Sequence, residues 1–182
     1  MREVLPLAYL GLLVVLLGGA SFFVIRQVLR TRRTELSMAE LQNRLLQQKK
    51  GSARDYYELA SIMISKKFYS QATRQLEKAL KAEDLEPGEP SALIYNALGY
   101  SYAAQEQYDL AIRQYKEAIK QVPDYVVALN NLALAYERKQ LMAQALEAYE
   151  QVLALDPSNK SASKRAELLR KIVTVTKAPA SS

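Results

Sequence analysis

The side chains left to do chemistry here are tyrosines, carboxylates and amides, because two of the most reactive types are missing. The 182-residue chain contains no histidine and no cysteine. Without histidine it lacks the commonest general base and metal ligand, and no Ser-His-Asp triad can be built. Without cysteine there is no disulfide, no thiol nucleophile and no thiolate zinc site, a composition that suits a reducing compartment. The six glycines are scattered and form no loop that would cradle a phosphate. Carboxylate pairs such as Glu147 and Glu150 fall at helical spacing and read most simply as a solvated face. The composition therefore predicts no enzyme, no metal, no cofactor and no small-molecule substrate. It leaves recognition. Twelve tyrosines can each offer a ring and a hydroxyl to a partner surface.

Those tyrosines follow a period. Tyr102 and Tyr136 lie 34 residues apart, as do Ala111 and Ala145, Tyr115 and Tyr149, and Pro123 and Pro157. Four positions of different chemistry sharing one period mark a stack of helical hairpins. One copy spans residues 92–125 and the next 126–159. A fainter copy at 53–86 keeps Tyr56, Leu59, Ala60, Met63, Ala72, Leu76 and Ala79, but has Asp84 where the others close with proline. Residues 87–91 then break the period with an inserted Pro-Gly-Glu-Pro turn. The spacing resembles the tetratricopeptide repeat, two antiparallel helices in 34 residues. The small pairs Ala60/Ala72, Gly99/Ala111 and Ala133/Ala145 are expected where two helices cross closely. The turn within each hairpin carries Lys67, Glu106 or Gln140 in place of the usual small residue, which predicts looser turns. Residues 160–176, with Ala162, Ala166, Leu169, Ile172 and Val173 at helical spacing, are expected to cap the stack. Residues 177–182 are expected to be a disordered tail. The fold class expected is all-α: a transmembrane helix, a three-repeat solenoid and a capping helix.

The front of the chain differs. Residues 4–25 carry no charge and would span roughly 33 Å as a helix, enough for a bilayer core. The balanced start (Arg2, Glu3) and the long apolar run favour a retained span over residues 1–25 rather than a cleaved signal. Arg26, Arg30, Arg32 and Arg33 crowd its carboxyl side. The positive-inside rule then puts the amino terminus out and the repeats on the cytoplasmic or stroma-like side. These arginines would also meet anionic headgroups at the membrane surface. Residues 26–52 read as a basic linker with a short amphipathic helix: Ser37 and Glu40 form a capping box, Met38, Leu41 and Leu45 a stripe, and Gly51 a stop. A stripe this short suits packing on the first repeat better than a coiled coil. Charge is split: residues 26–50 carry a net +5, 51–159 a net −4, and 160–182 a net +5. The basic residues thus flank the repeats without forming an aromatic-studded groove, so no nucleic-acid partner is expected.

Subtracting the packing positions isolates the candidate site. Tyr57 and Tyr100 are not required by the repeat, and by position both face the concave groove. They serve there either as partner anchors or as shields of their own repeats. The same groove receives Arg54 and Ser61 from the first repeat, Asn96 from the second, and Asn130, Leu134, Glu137 and Arg138 from the third. Asn131 reads as a structural tie between neighbouring repeats. The Lys/Asn/Arg clamp that holds a terminal carboxylate in chaperone-binding repeats is absent, since its first-repeat positions are Tyr57 and Ser61.

A longer resemblance is more specific. Tyr95-Asn-Ala-Leu-Gly, Ala104-Gln-Glu-Gln-Tyr-Asp-Leu-Ala-Ile and Tyr125-Val-Val-Ala-Leu-Asn-Asn-Leu-Ala are similar to the membrane-anchored photosystem I assembly repeat proteins of cyanobacteria and plastids. So are Leu5-Pro-Leu-Ala-Tyr-Leu at the span and Thr31-Arg-Arg-Thr-Glu behind it. The resemblance implies a single-pass thylakoid protein with repeats facing stroma or cytoplasm. It implies help in assembling or stabilising photosystem I by holding its subunits or an intermediate, with no cofactor. The alternative is a general membrane-tethered scaffold for another complex, in envelope or pilus biogenesis.

Overall fold

The computed structural model describes residues 4–47 and 51–177. These residues form eight helices and no strand. Contacts divide the chain into two compact units, one ending at Gln47 and the other beginning at Gln48.

The first unit is a single helix, α1 (Val4–Gln47), 44 residues long. Its window Leu12–Leu29 has a mean hydropathy of 2.1, is exposed throughout, and is long and apolar enough to cross a membrane. The helix does not break where a new one was expected to begin at Ser37. From residue 26 to 47 it contains neither proline nor glycine and is rich in Leu, Arg, Gln and Glu, so propensity carries it through. Ser37 and Glu40 thus lie within a continuous helix rather than at the start of one.

The second unit holds α2 (Ala53–Ser65), α3 (Tyr69–Ala79), α4 (Glu89–Ala103), α5 (Tyr108–Gln121), α6 (Val126–Arg138), α7 (Met142–Leu155) and α8 (Lys160–Lys177). The helices pack in chain order. Helices α2/α3, α4/α5 and α6/α7 form three hairpins, and α8 lies on α7. The start of α2 is fixed by Ser52, whose Oγ accepts a hydrogen bond from the Asp55 N–H at 3.0 Å. Its first N–H, on Ala53, donates to Asp84 Oδ1 at 2.9 Å. Asp84, where the other repeats have proline, therefore ties the end of the first repeat back to its beginning.

The hairpin turns are tight, contrary to the looser turns expected from Lys67, Glu106 and Gln140. All three residues take left-handed backbone, with φ of 63°, 60° and 59°. Each turn repeats one long-reach bond: Phe68 N–H to Met63 O (2.8 Å), Gln107 N–H to Tyr102 O (3.0 Å), and Leu141 N–H to Tyr136 O (2.9 Å). This is the Schellman pattern that satisfies orphan carbonyls at a helix end. The hydrogen bonds hold a conformation that side-chain sterics oppose.

The core sits where the small pairs predicted. Ala60, Ala72, Ala111, Ala133 and Ala145 are wholly buried. Gly99 has a more particular reason. A Cβ there would lie 2.6 Å from Cε1 and 2.7 Å from Cδ1 of Tyr115, whose ring is itself buried. Helix α8 closes the stack with Ala162, Ala166 and Leu169, which are buried against the last hairpin. Ile172, expected in that seam, is instead 40% exposed.

Candidate protein-binding groove

The inner helices α2, α4 and α6 present side chains at spacings of three and four. These are Arg54, Tyr57 and Ser61 on α2, then Leu93, Asn96 and Tyr100 on α4, then Val127, Asn130 and Leu134 on α6. Each set occupies the same repeat positions, so the three align as rows along the stack. Leu93, Tyr100, Val127 and Leu134 are exposed although they are large and apolar. Two adjacent inner helices thus carry an apolar face that the fold does not cover.

The polar members of the rows are mostly engaged. Asn96 links repeats: its Nδ2 donates to the Tyr125 hydroxyl at 3.3 Å, and its Oδ1 accepts from Asn131 Nδ2 at 3.0 Å. Asn131 is the tie it was expected to be. Burial pushes the Tyr125 phenol up, and the nearby Tyr57 adds to the shift. Asn130 Nδ2 donates to Val126 O and Ser61 Oγ to Tyr57 O, both within their own helices. Arg54 pairs with Glu58 one turn on, at 2.9 Å. Tyr100 meets Tyr69 of the first repeat edge to face, with ring centroids 6.3 Å apart. Its ring is still accessible, so packing and recognition can share it.

Glu137 and Arg138 part company. Glu137 accepts two bonds from Arg165 of α8, at 2.7 and 3.0 Å, and its charge acts on the Tyr149 phenol. Burial, reinforced by Glu137, raises that phenol well above the ordinary tyrosine range. Glu137 therefore fastens the cap, while Arg138 stays exposed at the end of α6. Among the described residues no group of acidic side chains is arranged to hold a metal ion.

With this geometry in hand, the likenesses have structural meaning. Residues 96–160, which span the last two hairpins, match the tetratricopeptide repeat family. A ycf37 protein of Cyanophora paradoxa is 39% identical over 151 residues, covering 83% of this chain and 87% of its own length. This chain belongs to the ycf37 family of tetratricopeptide-repeat proteins. This same chain is also 42% identical over 173 residues to the Arabidopsis thaliana tetratricopeptide repeat domain-containing protein PYG7, chloroplastic. That match takes in 95% of this chain but only 57% of the Arabidopsis protein's length. Among solved structures, MamA superposes with a TM-score of 0.72 at 20% identity, covering 80% of this chain and 82% of MamA, a likeness of fold alone. A solenoid of this type is a protein-interaction scaffold.

Two of the candidates for the membrane surface, Arg26 and Arg32, are exposed on α1; the side chains of Arg30 and Arg33 lie outside the described residues, as does the tail at 178–182. Sequence reasoning missed Leu93 and Val127. The signal was available, since both stand at the repeat position of Arg54, but an apolar residue on an inner helix reads as core. It also missed a cleft of about 590 Å³ beside Tyr57, opened where residues 87–91 interrupt the period.

Proposed function

We propose that this ycf37-family protein is a membrane-anchored scaffold that assists the assembly and stability of photosystem I. In this reading α1 spans the thylakoid membrane, with Arg26, Arg30, Arg32 and Arg33 at its cytoplasmic or stromal surface. The repeats on that side hold photosystem subunits or an assembly intermediate. The observation that carries the reading is the uncovered apolar face of the inner helices, joined in one chain to a helix of membrane-spanning length. Exposed aromatic and aliphatic side chains in a row are what a partner segment buries. The chloroplastic Arabidopsis relative supports a plastid-type compartment, and the resemblance to photosystem I assembly proteins supports the choice of client.

The test is affinity purification of the tagged full-length chain from detergent-solubilised thylakoids, beside a Tyr57→Ala/Tyr100→Ala variant whose helicity is checked first. Pigment-bearing photosystem I subunits should co-purify with the wild type and be reduced with the variant. A colourless eluate containing envelope proteins would sink the assignment.

A further inference from the structure

We propose that the cleft between the first two repeats docks a partner segment in which a lysine or arginine stands beside a large apolar side chain. The proposal rests on the reading that this face of the solenoid binds protein, and it names the chemistry of what is bound.

The cleft exists because the period slips. The connection from α3 to α4 runs through nine residues, 80–88, whereas that from α5 to α6 takes four, 122–125. Gly88 makes the turn with φ of 87°, a conformation that L side chains rarely adopt, and Pro90 stands in the first turn of α4. Asp84, held by the Ala53 N–H, pins the front of this loop to α2. The result is an open cavity of about 590 Å³, well within the size of ligand sites, which run from about 300 to 1,000 Å³.

Its lining is mostly apolar and also carries acidic residues. Tyr57, Leu85, Pro90, Leu93 and Ile94 contribute the apolar part. Asp84, Glu86 and Glu89 stand among the lining residues with one cation, Arg54. Arg54 is already paired with Glu58, and Asp84 is engaged with the backbone. Glu86 and Glu89 are exposed and make no ion pair among the described residues. The charge left over is negative.

These features select one occupant. An acidic segment or a phosphate-bearing lipid surface would meet like charge at Glu86 and Glu89. A wholly polar basic segment would leave Leu85 and Leu93 in water. An apolar side chain seated against Tyr57 and Leu93, with a neighbouring cation on the two glutamates, satisfies both. The Tyr57 ring offers the cation a further favourable surface.

The full-length chain in nanodiscs of zwitterionic lipid can be titrated with three fluorescein-labelled peptides of about twelve residues, read by anisotropy against empty nanodiscs. One alternates Leu with Arg, one Leu with Glu, and one Ser with Arg. The Leu/Arg peptide should bind, weaken with added salt, and bind at least about tenfold more tightly than the other two. Glu86→Gln with Glu89→Gln should weaken it roughly three- to tenfold with an unchanged melting temperature, since both carboxylates are on the surface. Leu93→Ser should weaken it as well. Equal binding of the Leu/Glu peptide, wild-type affinity in the double variant, or no binding of any peptide would overturn the proposal. Loss of peptide binding with photosystem subunits still recovered from thylakoids would remove this site and leave the assembly role standing.

Discussion

At the scale of single residues, the strain in this solenoid is localised and reversible by substitution. Lys67, Glu106 and Gln140 hold left-handed backbone at the three hairpin turns. A side chain there costs roughly 1–2 kcal/mol that glycine avoids, and glycine gives back about 0.5–1 kcal/mol through the flexibility of the unfolded chain. Glu106→Gly should therefore raise the melting temperature by roughly 2–5 °C in calorimetry, and an unchanged or lower value would contradict the strain. Gly99 is the opposite case. Its missing Cβ makes room for the Tyr115 ring. Gly99→Ala should destabilise by about 1 kcal/mol net, overpacking of about 1–3 kcal/mol outweighing a helix-propensity gain near 1. The cost stays short of the top of that range because the third repeat accommodates Ala133 with Tyr149. The first repeat pairs Ala60 with Leu76 at the equivalent positions, and all four of these residues are buried. Gly99→Ala should accordingly cost less in a Tyr115→Leu background than in the wild type. An equal cost in both backgrounds would show that the ring is not the obstacle.

At the scale of elements, the 34-residue period registers the last two hairpins, because one-residue shifts would expose Ala111, Tyr115 or Ala145. It does not place the start of α4, which begins at Glu89 inside the segment read as an inserted turn. Features that depend on neighbours in space were beyond its reach. Ser37 and Glu40 have the form of a capping box, but a cap needs a chain that enters from outside the helix, and nothing before Ser37 breaks α1. Glu137 belongs by register to the groove, yet Arg165 draws it to the cap, and the register of α8 is not set by the repeat. Among the groove positions, Tyr57 and Tyr100 stood out because the repeat leaves them unexplained, and Leu134 followed from its repeat position. Leu93 and Val127 were not legible, because hydrophobicity alone cannot separate a core position from an uncovered one. The most informative departure is Asp84. It substitutes for the closing proline of the other repeats and replaces ring rigidity with a charged hydrogen bond to the Ala53 N–H. Asp84→Ala should cost about 1 kcal/mol, the scale of a lost cap. Amide exchange at Ala53 and through the first turn of α2 should rise, while exchange in α6 and α7 stays as in the wild type. Uniform acceleration across all three hairpins would mean that the loop braces the entire stack and not α2 alone.

At the scale of the whole molecule, the proposed role turns on confinement. The uncovered face of the inner helices is modest, so its contacts with any one segment are expected to be individually weak. A tether that keeps client and groove at one membrane replaces a bimolecular encounter with a local one, and gains on the order of 10²- to 10⁴-fold in avidity without a new contact. The repeats form a compact unit of their own, with their own core and cap. A chain lacking residues 1–33 should thus fold, leave the membrane fraction, and bind the Leu/Arg peptide with unchanged affinity. In a strain deprived of the full-length protein it should fail to restore photosystem I accumulation at normal abundance. Raising its concentration should restore accumulation progressively, because mass action then replaces the tether. If the anchorless chain supports full accumulation at ordinary abundance, confinement is not what α1 contributes. If no abundance suffices, α1 does more than tether, and the contact that matters lies within the membrane.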